Sequence, residues 1–297
     1  AYAALALKQA EGSIEEAVFL LRAYRSTLSR NYYTLPASGT EMRAVRRISA
    51  AFKDIQGGQI LGATYDYTHR LIEFKQSSAV ELSARRQCCL KEAKPVPVKL
   101  PRVSEYLKAE GLIDSCEIDD MEPVDVTKNV LELPADRSAR LQTLTRADGG
   151  FIGGLAYSSI RGYGAVHPTV GELRCGYVEL EVPYLFDETE SICIGEILLT
   201  EVEGFIPEDD DKKLKLAVGY GAVLGRNENK AISMAVLDAS LETEGPAPAQ
   251  DEEFVLLHGD SLEMNGFISH LKLPHYVTFQ SKLDSVRKTR KEPEHES

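Results

Sequence analysis

Apolar residues recur with helical spacing at the start of the chain, where residues 1–30 predict helices. Gly12 interrupts the pattern, and the segment Ser13-Ile-Glu-Glu16 that follows is a capping box, which is typical of a new helix N-terminus. Residues 40–53 predict a further, basic helix. We therefore interpret residues 1–75 as a helical N-terminal region. The inner face of the helix at 40–53 would consist of Met42, Val45, Ile48 and Phe52.

The middle of the chain has a weaker pattern. Residues 76–135 contain scattered prolines and acidic runs, which are typical of a linker or a variable insertion. One short helix is predicted within this stretch, from Ser104 to Glu110, and Gly111 would end it.

Periodicity returns at residue 136, and residues 136–297 predict an α+β domain that carries a C-terminal metal-binding motif. Strands and helices both contribute, so the fold class is α+β, with an N-terminal helical region followed by a mostly antiparallel sheet flanked by helices. The predicted strands are 176–182, 192–199 and 216–224, and the predicted helices are 138–146, 227–241 with Asn227 as N-cap, 251–258 and 276–288.

Composition narrows the classes of function. A formal net charge of -12 over 297 residues argues against a surface that coats nucleic acid, and no apolar run is long enough for a membrane span. Five cysteines without C-x-x-C spacing favour reduced thiols and a cytoplasmic protein. The chain opens in a helical pattern without an initiator methionine, so we expect an N-terminal segment to be lacking.

Three of the six histidines lie between residues 258 and 275. His270 and His275 are separated by a stiff segment that includes Pro274, and imidazole is a common metal ligand near neutral pH. These two histidines predict a metal site, although loop histidines also bond the backbone. Nearby groups offer further ligands or simply form a helix N-terminus, namely Asp251, Glu252, Glu253 and His258.

Two glycine-containing segments allow opposite interpretations. Arg161-Gly-Tyr-Gly164 and Gly219-Tyr-Gly221 are both followed by Ala-Val, and a glycine turn before a helix exposes N–H groups that bind phosphate. The alternative, which the sequence favours, is that strand glycines permit close approach of another backbone. Neither segment matches a known nucleotide-binding motif.

Basic and acidic side chains supply the remaining candidates. Guanidinium groups bind phosphate oxygens, whereas a solvated helix face is the alternative for the same arginines. Carboxylates in strand patterns suit cleavage at an anomeric carbon, because they stabilise an oxocarbenium-like transition state or protonate the leaving group. The basic and aromatic set is Arg46, Arg47, Lys53, Tyr65, Tyr67, His69 and Arg70, and the carboxylates are Glu172, Glu196 and Glu201.

Several blocks of the chain together resemble the PhnI family of the bacterial carbon–phosphorus lyase system. The resemblance covers most of the chain outside residues 76–135, and its two longest blocks are the most specific. The blocks span residues 20–25, 46–50, 53–55, 64–71, 155–158, 161–164, 167–168, 195–196, 248–255 and 269–277.

This resemblance implies a transferase subunit of phosphonate catabolism. Together with its partners, the family subunit replaces the adenine of ATP by an alkylphosphonate such as methylphosphonate at ribose C1, giving ribose 1-phosphonate 5-triphosphate. Alone, it is a nucleosidase on purine nucleoside triphosphates. The implied partners are G, H and J subunits in a core complex with twofold symmetry, in which this subunit is homodimeric, with K and L as ATP-binding subunits.

The resemblance also implies site residues. By motif position, His270 and His275 would bind Zn²⁺ near the boundary with the J subunit. We expect Glu172 or Glu196 near the ribose. Two departures from the family are the missing N-terminal segment and Val218, where the family often has arginine. The expected triphosphate-binding residues are Arg46, Arg47, Lys53 and Arg70, followed by Arg161 and His167.

Two alternatives remain open at this point. The chain would be a scaffold if zinc holds an interface and the nucleotide chemistry lies in partner subunits. It would be a stand-alone zinc hydrolase if His270, His275 and an acidic ligand form a complete catalytic site.

Overall fold

The structure is a computed structural model. It describes residues 1–28, 30, 32–52, 58–62, 101–113, 122–163, 169–210, 213–261, 264, 266, 268 and 271–290. The chain forms two compact units. The first contains residues 1–37 and 180–195, and the second contains residues 38–179 and 196–297.

The first unit contains the two N-terminal helices, α1 (Tyr2–Gln9) and α2 (Ile14–Ser26). The break between them at Gly12 is confirmed, because this glycine has φ +96°, a conformation that residues with a side chain rarely adopt. The capping prediction at Ser13 is also confirmed, since its side chain accepts a hydrogen bond from the Glu16 N–H. The helices pack through small side chains, Ala6, Ala10 and Ala17.

The helix predicted at 40–53 is wrong. This segment contains a short 3₁₀ turn, Gly39–Glu41, and then strand β1 (Arg43–Ser49). Strand β1 pairs antiparallel with a strand more than a hundred residues later, with Arg47 opposite Arg174. The apolar residues here recur every three to four positions, as in a helix, and the nonlocal pairing with β2 overrides that local pattern.

Most of a four-stranded sheet with the order β1-β2-β3-β4 belongs to the second unit, and the parts of β2 and β3 within residues 180–195 belong to the first. The strands after β1 are β2 (Thr169–Tyr184), β3 (Asp187–Asp210) and β4 (Lys213–Leu224). All three predicted strands are confirmed, but each is longer than predicted. For β3, the prediction stopped before Glu201 and Glu203, which are charged but buried. The α+β class is confirmed.

Helix α6 (Glu228–Leu241) packs against β4 on the apolar face of the sheet. A Cβ atom added at Gly219 would overlap the carbonyl oxygen of Ala235, and one at Gly221 would overlap that of Ala231. These strand glycines therefore permit close helix–strand approach, which confirms the second interpretation of Gly219-Tyr-Gly221. The core beneath α6 includes Leu144, Ile152, Val202, Val223, Met234 and Val255.

Asn227 directly precedes α6, as predicted, although its side chain makes no cap hydrogen bond. Four other helices of this unit also agree with the predictions. They are α3 (Val103–Ala109), α4 (Arg137–Arg146), α7 (Glu252–His258) and α8 (Tyr276–Arg290). Helix α5 (Gly149–Ser158), which leads into a π-helical turn Ser159–Tyr163, and a 3₁₀ turn Pro248–Gln250 complete the described elements. Within the described ranges, no helix combines the length and apolar character needed to cross a membrane.

Side chains from α4 and α6 cover the edge strand β4. Arg137 Nη2 donates to the Val218 carbonyl at 2.6 Å, and the Tyr220 N–H donates to Asp238 Oδ2 at 2.8 Å. Arg137 and Asp238 also pair with each other at 2.6 Å. An exposed strand edge invites pairing with other chains, and these contacts occupy two of its backbone groups.

The face of the sheet opposite α6 is covered by residues 101–113. Val103 and Ile113 form a small apolar cluster with Phe205 of β3. The described part of the segment interpreted as a linker or insertion therefore belongs to the sheet-bearing unit. Leu216 and Val218 of β4 pack against this cluster, and charged side chains lie on the same face.

Candidate functional site

Polar side chains from all four strands, most of them charged, converge on the sheet face beneath residues 101–113. Successive residues of a strand point to opposite faces, so Glu172 and Arg174 share one face of β2, and Glu201 and Glu203 share one face of β3. We name this group the polar-face cluster. Its members are Arg47, Arg102, Glu172, Arg174, Glu201, Glu203 and Tyr220.

Glu172 is fully buried and both carboxylate oxygens have partners. Oε1 lies 2.7 Å from Arg47 Nε, and Oε2 accepts from the Val103 N–H at 2.9 Å. Burial raises the pKa of the Glu172 carboxyl, while the Val103 hydrogen bond and the Arg47 charge oppose that rise. The backbone of α3 is thereby tied to β1 and β2 through a single carboxylate.

Arg102 joins the two glutamates of β3. Its Nη2 lies 3.0 Å from Glu201 Oε1, and its Nη1 lies 3.1 Å from Glu203 Oε1. Burial lowers the pKa of Arg102, but the charges of Glu201 and Glu203 outweigh that effect, so the net shift is upward. The Ser104 hydroxyl also donates to Glu203 Oε1 at 2.8 Å, so the first turn of α3 lies against the Glu203 carboxylate.

Tyr220 connects the cluster to the edge of the sheet. Its hydroxyl donates to Glu201 Oε2 at 3.0 Å, while its backbone N–H donates to Asp238. Burial raises the pKa of the Tyr220 phenol well above its usual value, and the Glu201 charge adds to the rise. Tyr220 is therefore a neutral hydrogen-bond donor at neutral pH.

Arg174 is held in the cluster by charge alone. Its nearest acidic atoms are Glu201 Oε1, 3.6 Å from Nη1, and Glu172 Oε1, 4.0 Å from Nε. Its three guanidinium nitrogens are buried and make no hydrogen bond to any residue that the structure describes. Burial lowers the pKa of Arg174, and the charges of Glu201 and Glu172 partly restore it. Three arginines and three glutamates thus balance formally in this cluster.

Of the predicted phosphate-binding residues, the three that the structure describes, Arg46, Arg47 and Arg161, have different surroundings. Arg46 and Arg47 are consecutive on β1 and point to opposite faces. Arg46 Nε lies 2.8 Å from Glu228 Oε1, whereas Arg47 pairs with Glu172. Arg161 is exposed, with its guanidinium 5.7 Å from the centre of the Tyr157 ring. Lys53, Arg70 and His167 lie outside the described residues.

The two predicted catalytic carboxylates also lie apart. Glu196 pairs with Arg43 at 2.6 Å, and Arg43 is the Cα partner of Tyr177. Tyr177 is about 17 Å along β2 from Glu172 at the ordinary rise of a strand. Glu196 is 38% exposed and Glu172 is 2% exposed at the side chain, so only Glu196 faces solvent.

Near the C-terminus, His258 and His275 lie in ring-to-ring contact. Their ring centroids are 5.1 Å apart at an interplanar angle of 81°, and His258 Nδ1 lies 3.0 Å from the Phe254 carbonyl oxygen. His270 lies outside the described residues. Among the described residues, no group of three or more His, Cys, Asp or Glu side chains is arranged to hold a metal.

Two of the acidic residues near the histidines have structural roles. Asp251 is the N-cap of α7, because its Oδ1 accepts from the Phe254 N–H at 2.9 Å. Both Glu252 carboxylate oxygens lie 3.3 Å from the Ala135 N–H, which ties α7 to the segment before α4. The interpretation of Asp251 and Glu252 as a helix N-terminus is confirmed.

Sequence reasoning singled out Arg47, Glu172 and Glu201 but missed the rest of the cluster. The missed residues have a partial signal, since Glu172-Leu-Arg174 and Glu201-Val-Glu203 alternate charged with apolar positions inside strands. Such alternation normally indicates one solvated face. The missed members are Arg102, Arg174, Glu203 and Tyr220.

Comparison with known proteins shows the family. Residues 1–293 match the PhnI family, described as bacterial phosphonate metabolism protein. "Alpha-D-ribose 1-methylphosphonate 5-triphosphate synthase subunit PhnI" of Escherichia coli (strain K12) is 44% identical over 99% of this chain and 83% of its own. The protein of the same name from Rhizobium meliloti (strain 1021) is 43% identical over 98% and 80%. The "Putative C-P lyase subunit protein HtxH" of Stutzerimonas stutzeri is 44% identical over 97% and 80%. The sequence-based resemblance is confirmed: the chain belongs to the PhnI family.

Proposed function

We propose that this chain is a subunit of a carbon–phosphorus lyase system, in which it transfers an alkylphosphonate to ribose C1 of ATP with release of adenine. The observation that carries the proposal is 44% identity, over 99% of the chain, to a relative named as a subunit of this synthase. The family description, phosphonate metabolism, agrees with that substrate class.

The reaction sets two physical requirements. Breaking the bond between ribose C1 and adenine develops positive charge at C1, which a nearby carboxylate stabilises. The triphosphate and the phosphonate are anions, which guanidinium groups bind through paired hydrogen bonds. Among the predicted site residues that the structure describes, Glu196 offers an accessible carboxylate and Arg161 an accessible guanidinium.

We assign different roles to the two carboxylates. Glu196 is partly exposed and paired with Arg43, so a substrate can reach it, and we propose it as the carboxylate near the ribose. Glu172 is buried with both oxygens engaged, so we propose that it positions β1 and α3 rather than touching substrate.

The proposed anion-binding residues also divide into a group that can contact substrate and a group that positions β1. Arg161 is exposed and suits direct contact with the triphosphate, together with Lys53, Arg70 and His167. Arg46 and Arg47 pair with buried or half-buried carboxylates, so their proposed role is to hold β1 in place.

Product analysis tests this function directly. The chain is mixed with G, H, J, K and L subunits, ATP and methylphosphonate, and phosphorus NMR follows conversion of the free phosphonate into its ribose ester. The proposal predicts equal amounts of adenine and ribose 1-methylphosphonate 5-triphosphate. Formation of this ester at an unchanged rate when the chain is omitted would overturn it.

The alternative function is a scaffold with an interfacial zinc site. The observation that favours it is the exposed apolar surface of the first unit, where the hairpin residues Leu185 and Phe186 are 67% and 86% exposed. A scaffold predicts that adenine release needs the partners and survives substitution of Glu196.

We propose Zn²⁺ as the resident metal, with His270 and His275 as ligands. The imidazole rings of His258 and His275 fit zinc, which binds histidine nitrogen readily. Zinc bound there supplies either a cross-link at a subunit boundary or a Lewis acid. The proposed assembly is a homodimer within a cytoplasmic, twofold complex of G, H and J subunits.

A further inference from the structure

The end of the hairpin formed by β2 and β3, residues 180–195, is exposed on both faces. It belongs to the first unit, and every side chain that the structure describes between residues 185 and 195 is exposed. Two strands without a covered face are only marginally stable in water, because they bury little apolar surface. A third strand or a partner surface would therefore stabilise this part of the hairpin.

One edge of the hairpin has no partner strand among the described residues. Strand β4 ends at Leu224, which is the Cα partner of Leu199 on β3. The residues of β3 before Leu199 therefore extend beyond β4, with only β2 beside them in the strand order. We name residues 187–194 the hairpin edge. Backbone N–H and C=O groups along an open edge are a template for a further strand.

The other edge of the hairpin, on β2, is a poorer template. The Leu35 N–H donates to the Glu181 carbonyl at 2.8 Å, so this carbonyl points away from β3 and is already occupied. Pro183 lies two residues further along β2, where the backbone faces the same side, and it has no N–H to donate. The hairpin edge on β3 contains no proline. An added strand is therefore better accommodated by β3.

Two isoleucines give the hairpin edge an apolar face. Ile192 and Ile194 are two residues apart in β3, so they share one face, and they are 46% and 57% exposed. Leu185 and Phe186 at the end of the hairpin are exposed as well. Apolar side chains at alternate positions of an open edge suit an added strand, whose own side chains supply the cross-strand contacts.

Charge decides between the possible occupants of the hairpin edge. Residues 180–195 contain four acidic residues and no lysine or arginine, in a chain whose formal net charge is -12. A second copy of the same hairpin would bring like charges together, which destabilises a strand pair. A segment with lysine or arginine would instead place opposite charges across the pair, and complementary charge also speeds association.

We propose that the hairpin edge binds an extended, basic segment of another subunit, which adds a strand to β3. Main-chain hydrogen bonds supply the affinity, and side-chain contacts along one face supply the selectivity. Glu190, Ile192 and Ile194 lie on that face and select a segment with basic and apolar residues at alternate positions. The inference rests on the proposed multisubunit assembly and deepens it, because it assigns a surface and a mode of recognition to one contact.

Hydrogen exchange tests this contact without using activity. The full chain is compared alone and after assembly with the G, H and J subunits, and mass spectrometry follows exchange in peptides that cover residues 187–194. We predict that the outward-facing amides of this edge exchange at least about 10-fold more slowly in the complex. Binding should also weaken as salt rises, because salt screens the charges across the strand pair.

Two variants with the same change of charge separate the apolar face from the charge of the hairpin. Ile192→Lys removes an apolar contact, so its Kd for the premixed G, H and J subunits should rise by about 10-fold or more. Ser191→Lys is the matched control on the opposite face of β3, and its Kd should rise by about threefold or less. Ile194→Lys should repeat the loss, and thermal unfolding of each free variant checks that it is folded.

Three results would overturn the assignment. One is unchanged exchange at residues 187–194 in a complex that forms, and another is a wild-type Kd for both isoleucine variants. The third is slowed exchange at these residues in a dimer of the chain alone, which would make a second copy the occupant. None of these results alters the ester formation that tests the proposed function, whereas subunits that fail to assemble would contradict both proposals.

Discussion

Arg47 and Arg174 lie directly opposite each other on β1 and β2, as Cα partners in an antiparallel pair. Like charges in this position destabilise a sheet unless acidic groups neutralise them. Glu172 pairs with Arg47 at 2.7 Å, and Glu201 lies 3.6 Å from Arg174. The sheet face therefore depends on glutamates that keep two buried arginines in place.

Removal of Glu172 should destabilise the sheet-bearing unit strongly. Glu172→Ala leaves Arg47 and Arg174 buried with less compensation, and breaking a buried pair on one side costs about 3–5 kcal/mol. Urea unfolding measures the free energy of unfolding of each variant and of the wild type. The double variant Arg47→Met with Glu172→Leu should be less destabilised than Glu172→Ala, because the Arg47 charge is removed together with the carboxylate that neutralises it, while Arg174 keeps Glu201. A loss below about 1 kcal/mol for Glu172→Ala would contradict this view of the cluster.

Because α6 packs closely on β4, substituting alanine for glycine should change stability at β4 but not at an open position elsewhere. Gly221→Ala places a methyl group against the Ala231 carbonyl, so we expect a loss of about 1–3 kcal/mol from overpacking. The matched control is Gly154→Ala in α5, where an added Cβ meets nothing within 4 Å, and alanine there should be neutral or stabilising. Thermal unfolding measures the stability of both variants. Equal stability would show that close contact with α6 does not require glycine at position 221.

Asp238 should protect the edge of β4. It is fully buried and accepts hydrogen bonds from the Tyr220 N–H and from Arg137, so Asp238→Ala leaves both donors without this acceptor. We expect a loss of about 3 kcal/mol and faster hydrogen exchange at the Tyr220 amide. The exposed Arg287–Asp284 pair is the control, and Asp284→Ala should change stability by less than about 0.5 kcal/mol. Unchanged exchange at Tyr220 would show that the edge is protected by other groups.

Secondary-structure elements were predicted correctly from the sequence where neighbouring residues determine them. Helix α2 begins where Ser13 caps it, and the break before it falls at Gly12. Strand β1 was misjudged because its pairing with β2 joins residues far apart in the chain. The sequence contains no local signal for that partner.

The candidate site was predicted only in part for the same reason. Arg102 bonds Glu203, which lies 101 positions later in the sequence. No local pattern around either residue predicts this pairing. Charged residues at alternate strand positions suggest a solvated face, whereas Ser104 of α3 contacts Glu203 and helps to bury it. His258 was noted only as a nearby ligand, and its contact with His275 required the fold.

The carboxylate assignment predicts a selective loss of chemistry. Glu196→Gln should lower adenine release by about 100-fold or more without changing the unfolding free energy beyond about 0.5 kcal/mol, because its pair with Arg43 is exposed. Arg43→Gln is the matched control, since it removes the partner but keeps the carboxylate. Equal activity of Glu196→Gln and wild type would remove Glu196 from the reaction.

Metal removal should separate the histidine site from nucleotide cleavage. The proposed glycosidic step uses carboxylates and arginines, so a chelator that strips zinc should leave adenine release by the isolated chain unchanged. Loss of adenine release on chelation, with recovery on adding zinc, would support the zinc-hydrolase alternative instead.

The most direct test of the central claim is adenine release from ATP by the purified chain, followed by chromatography with and without the G, H and L subunits and methylphosphonate. The account predicts slow release by the chain alone, with water as nucleophile, and faster release coupled to ribose 1-phosphonate formation when partners and methylphosphonate are present. Release of no adenine in either mixture would contradict it.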